Sequence, residues 1–186
     1  MQPEELALRA PAAALRAGDW FETLFRGHYP RIVGLLTRLT GDRFQAEEIA
    51  ADAFSKLARR PLLLQSHESL TAWIYRVAIN AGLDALRANA RRRRSEDAAG
   101  VERLRTGGEP GALEDLLRRE RCERVRAVLG VMKARDAELL LLRSGGMAYR
   151  EMAQALGIPA SSVGTLLARA EREFERRYRA RYGDDV

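Results

Sequence analysis

Three acidic side chains, Glu47, Glu48 and Asp52, lie close together in the sequence and are the first candidates for chemistry. Paired carboxylates can bind a metal ion or act together as a general acid and base. The chain has only two histidines, however, and neither is near these acids. The same stretch contains no second acidic motif that would complete a site. The pattern therefore favours a protein-docking surface, and we expect no enzymatic activity, no metal and no other cofactor.

A run of arginines is the second candidate. Arg87 and residues 91–94 are five arginines with no acid between residues 85 and 94. A guanidinium group binds phosphate oxygens at two points, so such a run is typical of a phosphate contact. The alternative is a solvated helix face, because the chain is rich in arginine throughout and only Lys56 and Lys133 are lysines. The position of the run, after an aromatic helix, favours phosphate.

The overall composition excludes several classes of protein. Of the 186 residues 46% are hydrophobic and 31% are charged, and the net charge is +6. These values predict a soluble chain of one or two globular domains. A single cysteine excludes an internal disulfide and a cysteine-based zinc site. Glu4 and Glu5 occupy positions where a signal peptide carries positive charge, and no uncharged stretch suits a membrane span. We expect a cytoplasmic protein without direct membrane insertion.

The hydrophobic residues repeat at helical spacing, and no segment alternates convincingly as a strand would. Val163, Leu167, Ala170 and Phe174, for example, follow one another at intervals of four, three and four. This period predicts an all-α protein. Glycines crowd between residues 95 and 112, which indicates a flexible linker. We therefore predict an N-terminal extension (1–17), a helical domain (18–94), the linker (95–112) and a second small helical domain (113–180).

Several residue types mark where the helices of the first domain begin and end. Gly41 suits a left-handed C-cap, and Asp42 suits the N-cap of the helix that follows. Pro61 is predicted to end that helix. Ser69 is predicted to cap a long helix that runs to about Arg91.

The long helix carries two aromatic residues on different faces, since two positions along a helix are separated by about 200°. Trp73 fits the apolar stripe and is predicted to lie in the core. Tyr75 and Arg76 are predicted to face outward, where an aromatic ring can stack on an unpaired base. Asn80 and Asp84 are four positions apart and share one face of the helix. A purely structural role for these two side chains would be local hydrogen bonding on an exposed helix.

The last part of the chain predicts a helix-turn-helix, a motif that places its second helix in the major groove of DNA. Tyr149, Met152, Ala153 and Leu156 define one face of a short helix, and Gly157 then turns the chain. The alternative is an ordinary helical hairpin that binds nothing. The second helix begins with small hydrogen-bonding residues, and nearby arginines suit phosphates. The candidate DNA-binding residues are Arg150, Ser161, Ser162, Thr165 and Arg169.

In their order and spacing, these motifs resemble the extracytoplasmic-function (ECF) class of the sigma-70 family, which are bacterial transcription initiation factors. The resemblance covers nearly the whole chain after about Trp20. The matching segments are residues 21–36, 41–54 (GDRFQAEEIAADAF), 72–87 (AWIYRVAINAGLDALR) and 148–159 (AYREMAQALGIP). The resemblance implies a sigma factor that binds core RNA polymerase and directs promoter recognition, −10 opening and transcription initiation. A sigma-like interaction protein, which binds polymerase or a regulator without initiating transcription, is the alternative.

The resemblance also implies roles for individual residues. Core polymerase would be bound by Glu48, Ile49, Asp52 and Phe54. The −10 element would be bound by Tyr75, Arg76, Asn80, Asp84 and Arg87, to which the arginine run adds Arg91 and Arg92. The first domain would be sigma region 2, and the second would be region 4, which reads the −35 element.

The resemblance further implies partners and one weakness. Members of this class are commonly held inactive by an anti-sigma factor, so we expect an anti-sigma factor as a further partner, and no small-molecule substrate. Gly164 and Leu166 stand where the family often has lysine and arginine, so we expect weak binding of the −35 element.

Overall fold

The protein is described by a computed structural model in which residues 19–59, 67–98 and 112–183 are placed. These residues form seven helices and no strand, which confirms the predicted all-α fold. The N-terminal extension, Pro61 and residues 99–111 of the predicted linker lie outside the described residues. In chain order, the helices are α1 (Asp19–Thr40), α2 (Arg43–Ala58), α3 (His67–Ala98), α4 (Ala112–Val131), α5 (Ala134–Ser144), α6 (Tyr149–Leu156) and α7 (Ala160–Tyr182).

The junction between α1 and α2 forms as the sequence predicts. Gly41 has a φ of 78°, in the left-handed region where a side chain is strained. The Asp42 carboxylate accepts hydrogen bonds from the backbone N–H groups of Phe44 and Gln45, at 2.8 and 3.2 Å. It thereby satisfies two of the donors that a helix start leaves without partners.

Helix α3 differs from its predicted bounds at both ends. It begins at His67, so Ser69 lies within its first turn and is not the N-cap. It also continues past Arg91 to Ala98, and residues 95–98 of the predicted linker are therefore helical. The physical reason is that no glycine or proline lies between Arg91 and Gly100 to stop the helix there.

Helices α1, α2 and α3 pack against one another to form the core of the N-terminal half. Phe54 of α2 is surrounded by the rings of Phe21, Phe25 and Tyr29 of α1. Helices α1 and α3 cross closely at Gly82, where a Cβ atom would lie only 2.6 Å from the side chain of Leu36. Large apolar side chains from three helices thus build one core.

The C-terminal half contains the predicted helix-turn-helix. Helix α6 ends at Gly157, whose φ of 62° turns the chain toward α7. The Glu151 carboxylate accepts a hydrogen bond of 2.7 Å from the backbone N–H of Ala148 at the start of α6. Helix α7 buries Val163, Leu167 and other apolar residues against α4, α5 and α6. The pattern of buried positions along α7 agrees with the sequence.

The two halves, which the sequence predicts to be two domains joined by a linker, pack against each other. Helix α3 of the first half contacts α4, α5 and α6 of the second half. One hydrophobic cluster of buried residues therefore runs through both halves. This packing decides which of the predicted site residues are exposed.

Candidate functional site

Helix α2 presents an acidic surface formed by Glu48 and Asp52, which are both exposed. Glu47 is half-buried and forms an ion pair with Arg43, with 2.8 Å between Oε1 and Nε. Ile49 is half-buried beside the core. Within the described residues, no group of three or more histidine, cysteine or acidic side chains could hold a metal ion. The arrangement of this surface suits contact with a protein.

Phe54 does not belong to that surface. Its side chain is 2% exposed, and its ring lies 5.0 Å from the ring of Phe25 between centroids. The ring is thus part of the core, and this burial argues against a direct contact of Phe54 with polymerase. Phe44, at the start of α2, is by contrast 85% exposed. The sequence could have indicated that Phe44 is exposed, since Phe44 lies outside the apolar stripe of Ala46 and Ala50.

Tyr75 of α3 is buried, although the sequence predicted that it would face outward. Only 1% of the residue is exposed, and its ring meets that of His28 edge to face at 5.7 Å. Burial raises the pKa of the Tyr75 phenol above its ordinary value of 10.0, an effect that Arg31 opposes and Glu151 of α6 reinforces. Among the described residues the Tyr75 hydroxyl has no hydrogen-bond partner. Trp73, predicted to lie in the core, is half-buried and packs against it.

The other predicted −10 residues of α3 differ in their surroundings. Arg76 and Asp84 are exposed, and Asn80 is half-buried. Arg87 is half-buried and donates hydrogen bonds to two backbone carbonyls of the C-terminal half: Nε lies 3.3 Å from Gly130 O, and Nη2 lies 3.4 Å from Met132 O. Arg87 thus serves as a contact between the two halves.

The end of α3 carries a cluster of positive charge. Residues 91–94 are all exposed, and Arg91 and Arg93 form no ion pair with any acidic side chain that the structure describes. A groove of about 460 Å³ lies between this end of α3 and helices α4 and α7, and Glu123 is its one acid. The arginines that line it are Arg87, Arg91, Arg93, Arg94, Arg126 and Arg181. Guanidinium groups gathered in this way attract phosphate.

Many other arginines are paired with acids on their own helix. Arg26 pairs with Glu22, and Arg118 pairs with Asp115. Exposed pairs of this kind contribute little to stability. Part of the excess of arginine thus consists of paired residues on helix surfaces, which are separate from the cluster at the end of α3.

The start of α7 is open to solvent. Ser161, Thr165 and Arg169 are exposed, as is Arg150 of α6, whereas Ser162 is half-buried. The five predicted residues thus lie on the two helices of the helix-turn-helix, and four of them are exposed.

Tyr149 also lies on this surface, although the sequence placed it on the apolar face of α6. It is 45% exposed, and the guanidinium of Arg143 lies 5.7 Å from the centroid of its ring. A Cβ atom at Gly164 would lie 3.5 Å from the Tyr149 ring. An alanine at this position would therefore make an ordinary van der Waals contact with the ring. The apolar periodicity of α6 could not have indicated that Tyr149 is exposed, because its position fits the apolar stripe of that helix.

No helix within the described part of the chain is long and apolar enough to cross a membrane.

Comparison with protein families matches both halves of the chain. The model of sigma-70 region 2 matches residues 24–92, and the model of sigma-70 region 4 matches residues 122–174. The chain belongs to the ECF class of the sigma-70 family. It is an RNA polymerase sigma factor that directs transcription initiation. The predicted family and function are thus confirmed.

Several curated sigma factors are similar over most of their length. RNA polymerase sigma factor YlaC of Bacillus subtilis is 27% identical over 85% of this chain and 91% of its own. The RNA polymerase sigma-H factor of Pseudomonas aeruginosa is 25% identical over 94% of this chain and 93% of its own. ECF RNA polymerase sigma factor RpoE of Cereibacter sphaeroides is 25% identical over 84% of this chain and 83% of its own.

The candidate surfaces of this sigma factor fall within different family matches. The acidic surface of α2 and the arginines at positions 91 and 92 fall within the region 2 match. The helix-turn-helix of α6 and α7 falls within the region 4 match, apart from the end of α7.

Proposed function

We propose that this sigma factor binds core RNA polymerase through α2 and promoter DNA through α3 and α7. In this proposal residues 18–94 act as region 2, which binds polymerase and the −10 element. Residues 113–180 act as region 4, which binds the −35 element. In this proposal the chain acts by binding, and no step requires catalysis by it. It acts in the cytoplasm, where polymerase works.

The observation that carries the proposal is the separation of charge within region 2. Glu48 and Asp52 are exposed on α2, whereas residues 91–94 are exposed at the end of α3. An acidic surface suits a protein partner and repels DNA, and an arginine cluster suits the phosphate backbone. One domain can therefore hold polymerase and DNA at the same time without competition for one surface.

The proposed −10 contacts divide into two groups. Arg91 and Arg92 would bind phosphates, and such contacts position a protein without reading sequence. Arg76, Asn80 and Asp84 would lie near the bases. Opening of the −10 element requires that bases leave the stack, which costs a few kcal/mol and is offset by contacts to the flipped base.

The proposed −35 contact is weak. Ser161 and Thr165 can form single hydrogen bonds with base edges, whereas the strongest base contacts are the bidentate ones of arginine or asparagine. Arg150 and Arg169 would bind phosphates on either side. The exposed Tyr149 offers an aromatic ring to the same surface. We propose that region 4 discriminates little between sequences and that its phosphate contacts supply most of its modest affinity.

An anti-sigma factor is a further proposed partner, since proteins of this class are commonly held inactive by one. The acidic surface of α2 is accessible to such a protein as well as to polymerase. Competition between the two would then control activity.

The proposal is tested by transcription with purified core polymerase and fragments of the source genome. We expect promoter-specific transcripts that depend on this protein. The double variant Glu48→Ala with Asp52→Ala should bind core polymerase roughly tenfold or more weakly, on the order of 1.4 kcal/mol. Glu22→Ala, an exposed acid on α1, is the matched control and should bind as the wild type does. Binding to polymerase without any transcript would instead support the interaction-protein alternative.

A further inference from the structure

The groove at the end of α3 brings together side chains from three helices, α3, α4 and α7. Part of its lining is apolar and is formed by Leu86, Ala90, Ala127, Gly130 and Val131. Six arginines and one glutamate also line the groove, so the net charge of the lining is +5. A concave surface with this charge suits an anion.

Two arginines of this groove lack the acidic partners that neighbouring arginines have. Arg124 of α4 and Arg179 of α7 each form an ion pair with a glutamate on their own helix, with 2.7 and 2.8 Å between nitrogen and oxygen. Arg126 and Arg181 lie on the same two helices, yet neither forms an ion pair with an acid in the described part of the chain. Their charges are therefore available to a partner from outside the chain.

Three arginines of the groove are held in place by contacts within the protein. Arg87 donates hydrogen bonds to two backbone carbonyls of the C-terminal half, as described above. The Arg126 guanidinium lies against Gly41, where a Cβ atom would collide with it. The Arg181 guanidinium lies over the ring of Tyr182, 5.5 Å from its centroid. Binding groups that are already positioned lose less conformational entropy when a ligand arrives.

The arginines of α3 line the groove along one face of that helix. Arg87, Arg91 and Arg94 follow one another at intervals of four and three residues, so they share this face. Arg92 is exposed but does not line the groove, and it donates a hydrogen bond to Asn89. The groove thus uses only part of the arginine run, and Arg92 lies outside it, where the proposed contact with DNA would occur.

The size of the groove limits what can bind in it. A volume of about 460 Å³ falls within the range of small-molecule sites, which is roughly 300–1,000 Å³. A DNA duplex is too wide to enter such a groove and would reach only its rim. A guanidinium group binds phosphate oxygens at two points. A small anion with linked phosphates could therefore contact arginines of all three helices at once.

We propose that this groove binds a small ligand with two or more linked phosphate groups. The phosphates would be bound by Arg94 of α3, Arg126 of α4 and Arg181 of α7. Inorganic polyphosphates and nucleoside polyphosphates share this chemistry, and a nucleoside could also contact the apolar part of the lining. The proposal does not depend on the role of α3 in DNA binding.

Binding is tested by isothermal titration calorimetry of the full chain with inorganic tripolyphosphate. The buffer contains about 150 mM salt, which largely screens the attraction of scattered surface charges, and no divalent cation. We expect saturable binding of one tripolyphosphate per chain. It should be at least about tenfold tighter than binding of monophosphate, because linked phosphates engage several guanidinium groups together. The absence of saturable binding would overturn the proposal.

Two variants test where the ligand binds. Arg126→Gln and Arg181→Gln should each weaken binding of tripolyphosphate about tenfold or more, because each removes a charged hydrogen-bond donor. The matched controls are Arg118→Gln on α4 and Arg179→Gln on α7, which remove the same charge outside the groove and should bind as the wild type does. Circular dichroism checks that each variant is folded. Equal losses in variants and controls would assign binding to net charge alone and overturn the proposal.

A gain of affinity provides a test that misfolding cannot imitate. Glu123 is the one acid of the groove, so Glu123→Gln removes the negative charge that repels a polyanion there. This variant should bind tripolyphosphate roughly twofold to fivefold more tightly, as is usual for one exposed charge. Glu114→Gln, at an exposed acid on α4 outside the groove, should not change the affinity. An equal affinity of Glu123→Gln and the wild type would argue against the site.

Two further probes distinguish the sources of phosphate. A nucleoside triphosphate that binds more tightly than tripolyphosphate would indicate a contact between the base and the apolar residues. Equal affinity would indicate that the phosphates alone are recognised, and either result supports the site.

Single-stranded DNA is compared at the same concentration of phosphate. Arg126→Gln and Arg181→Gln should leave binding of this DNA nearly unchanged, because neither residue belongs to the proposed DNA contacts. A loss of DNA binding as large as the loss of tripolyphosphate binding would make the groove part of the DNA surface and overturn the proposal.

Discussion

Replacement of Phe54 by alanine distinguishes a role in the core from a role in docking. The ring is 2% exposed, and its centroid lies 5.0, 5.7 and 6.2 Å from those of Phe25, Tyr29 and Phe21. Truncation of a buried phenylalanine costs about 3–5 kcal/mol. Each aromatic pair adds roughly 0.5–1.5 kcal/mol beyond the buried area, so we expect a loss toward the upper end of the first range. Small proteins are stable by about 5–15 kcal/mol, so this loss is a large share of the total.

The assay is urea unfolding followed by far-ultraviolet circular dichroism. Phe54→Leu should lose less stability than Phe54→Ala because it retains most of the buried volume. The exposed Glu48→Ala should change the free energy of unfolding by less than about 0.5 kcal/mol, yet it should weaken binding to polymerase. A Phe54→Ala variant as stable as the wild type, with binding to polymerase lost, would refute the assignment of this ring to the core.

Three further predictions concern a helix cap and exposed charges. Asp42→Ala should lower the free energy of unfolding by about 0.5–2 kcal/mol in urea, because two N–H donors at the start of α2 lose their acceptor. Arg91→Gln with Arg94→Gln should flatten the log–log salt dependence of DNA binding by about 1.8, at ~0.9 for each phosphate contact, whatever the sequence; an unchanged slope would assign both to a solvated face. Hydrogen bonds from Arg176 and the arginine after it lower the pKa of Glu173 from 4.5 to about 2. The stability that the Glu173 carboxylate contributes is therefore present above pH 4.5 and lost as the pH falls through about 2. Glu173→Gln should remove this pH dependence from acid unfolding curves. Acid unfolding curves of the wild type and of Glu173→Gln that run parallel would contradict this prediction.

The sequence predicted well those features that depend on neighbouring residues. Gly41 and Asp42 mark a helix end and a helix start because a positive φ and an N-cap are local requirements. The buried positions of α7 follow from the helical period alone. The end of α3 was predicted less well, since residues 95–98 have no strong signal for either helix or loop.

The candidate site residues show the same difference between features that depend on neighbouring residues and features that depend on distant ones. Glu48, Asp52 and residues 91–94 are exposed as the sequence predicted, because burial of a charged side chain is costly. Phe54 and Tyr75 are buried, although a family pattern placed both at contacts with a partner. A tyrosine is compatible with either environment, so its type alone does not decide its exposure.

The all-α fold, the buried positions of α7, the helix-turn-helix and the family could all be predicted from the sequence. These follow from the spacing of residue types along a single helix or turn. The burial of Tyr75 beside Gly145, and the hydrogen bonds from Arg87 to the carbonyls of Gly130 and Met132, became apparent only from the packing of the helices. The reason is physical: the exposure of a surface side chain depends on which distant segment packs against it, and helical periodicity carries no information about contacts between residues some 40 or more positions apart.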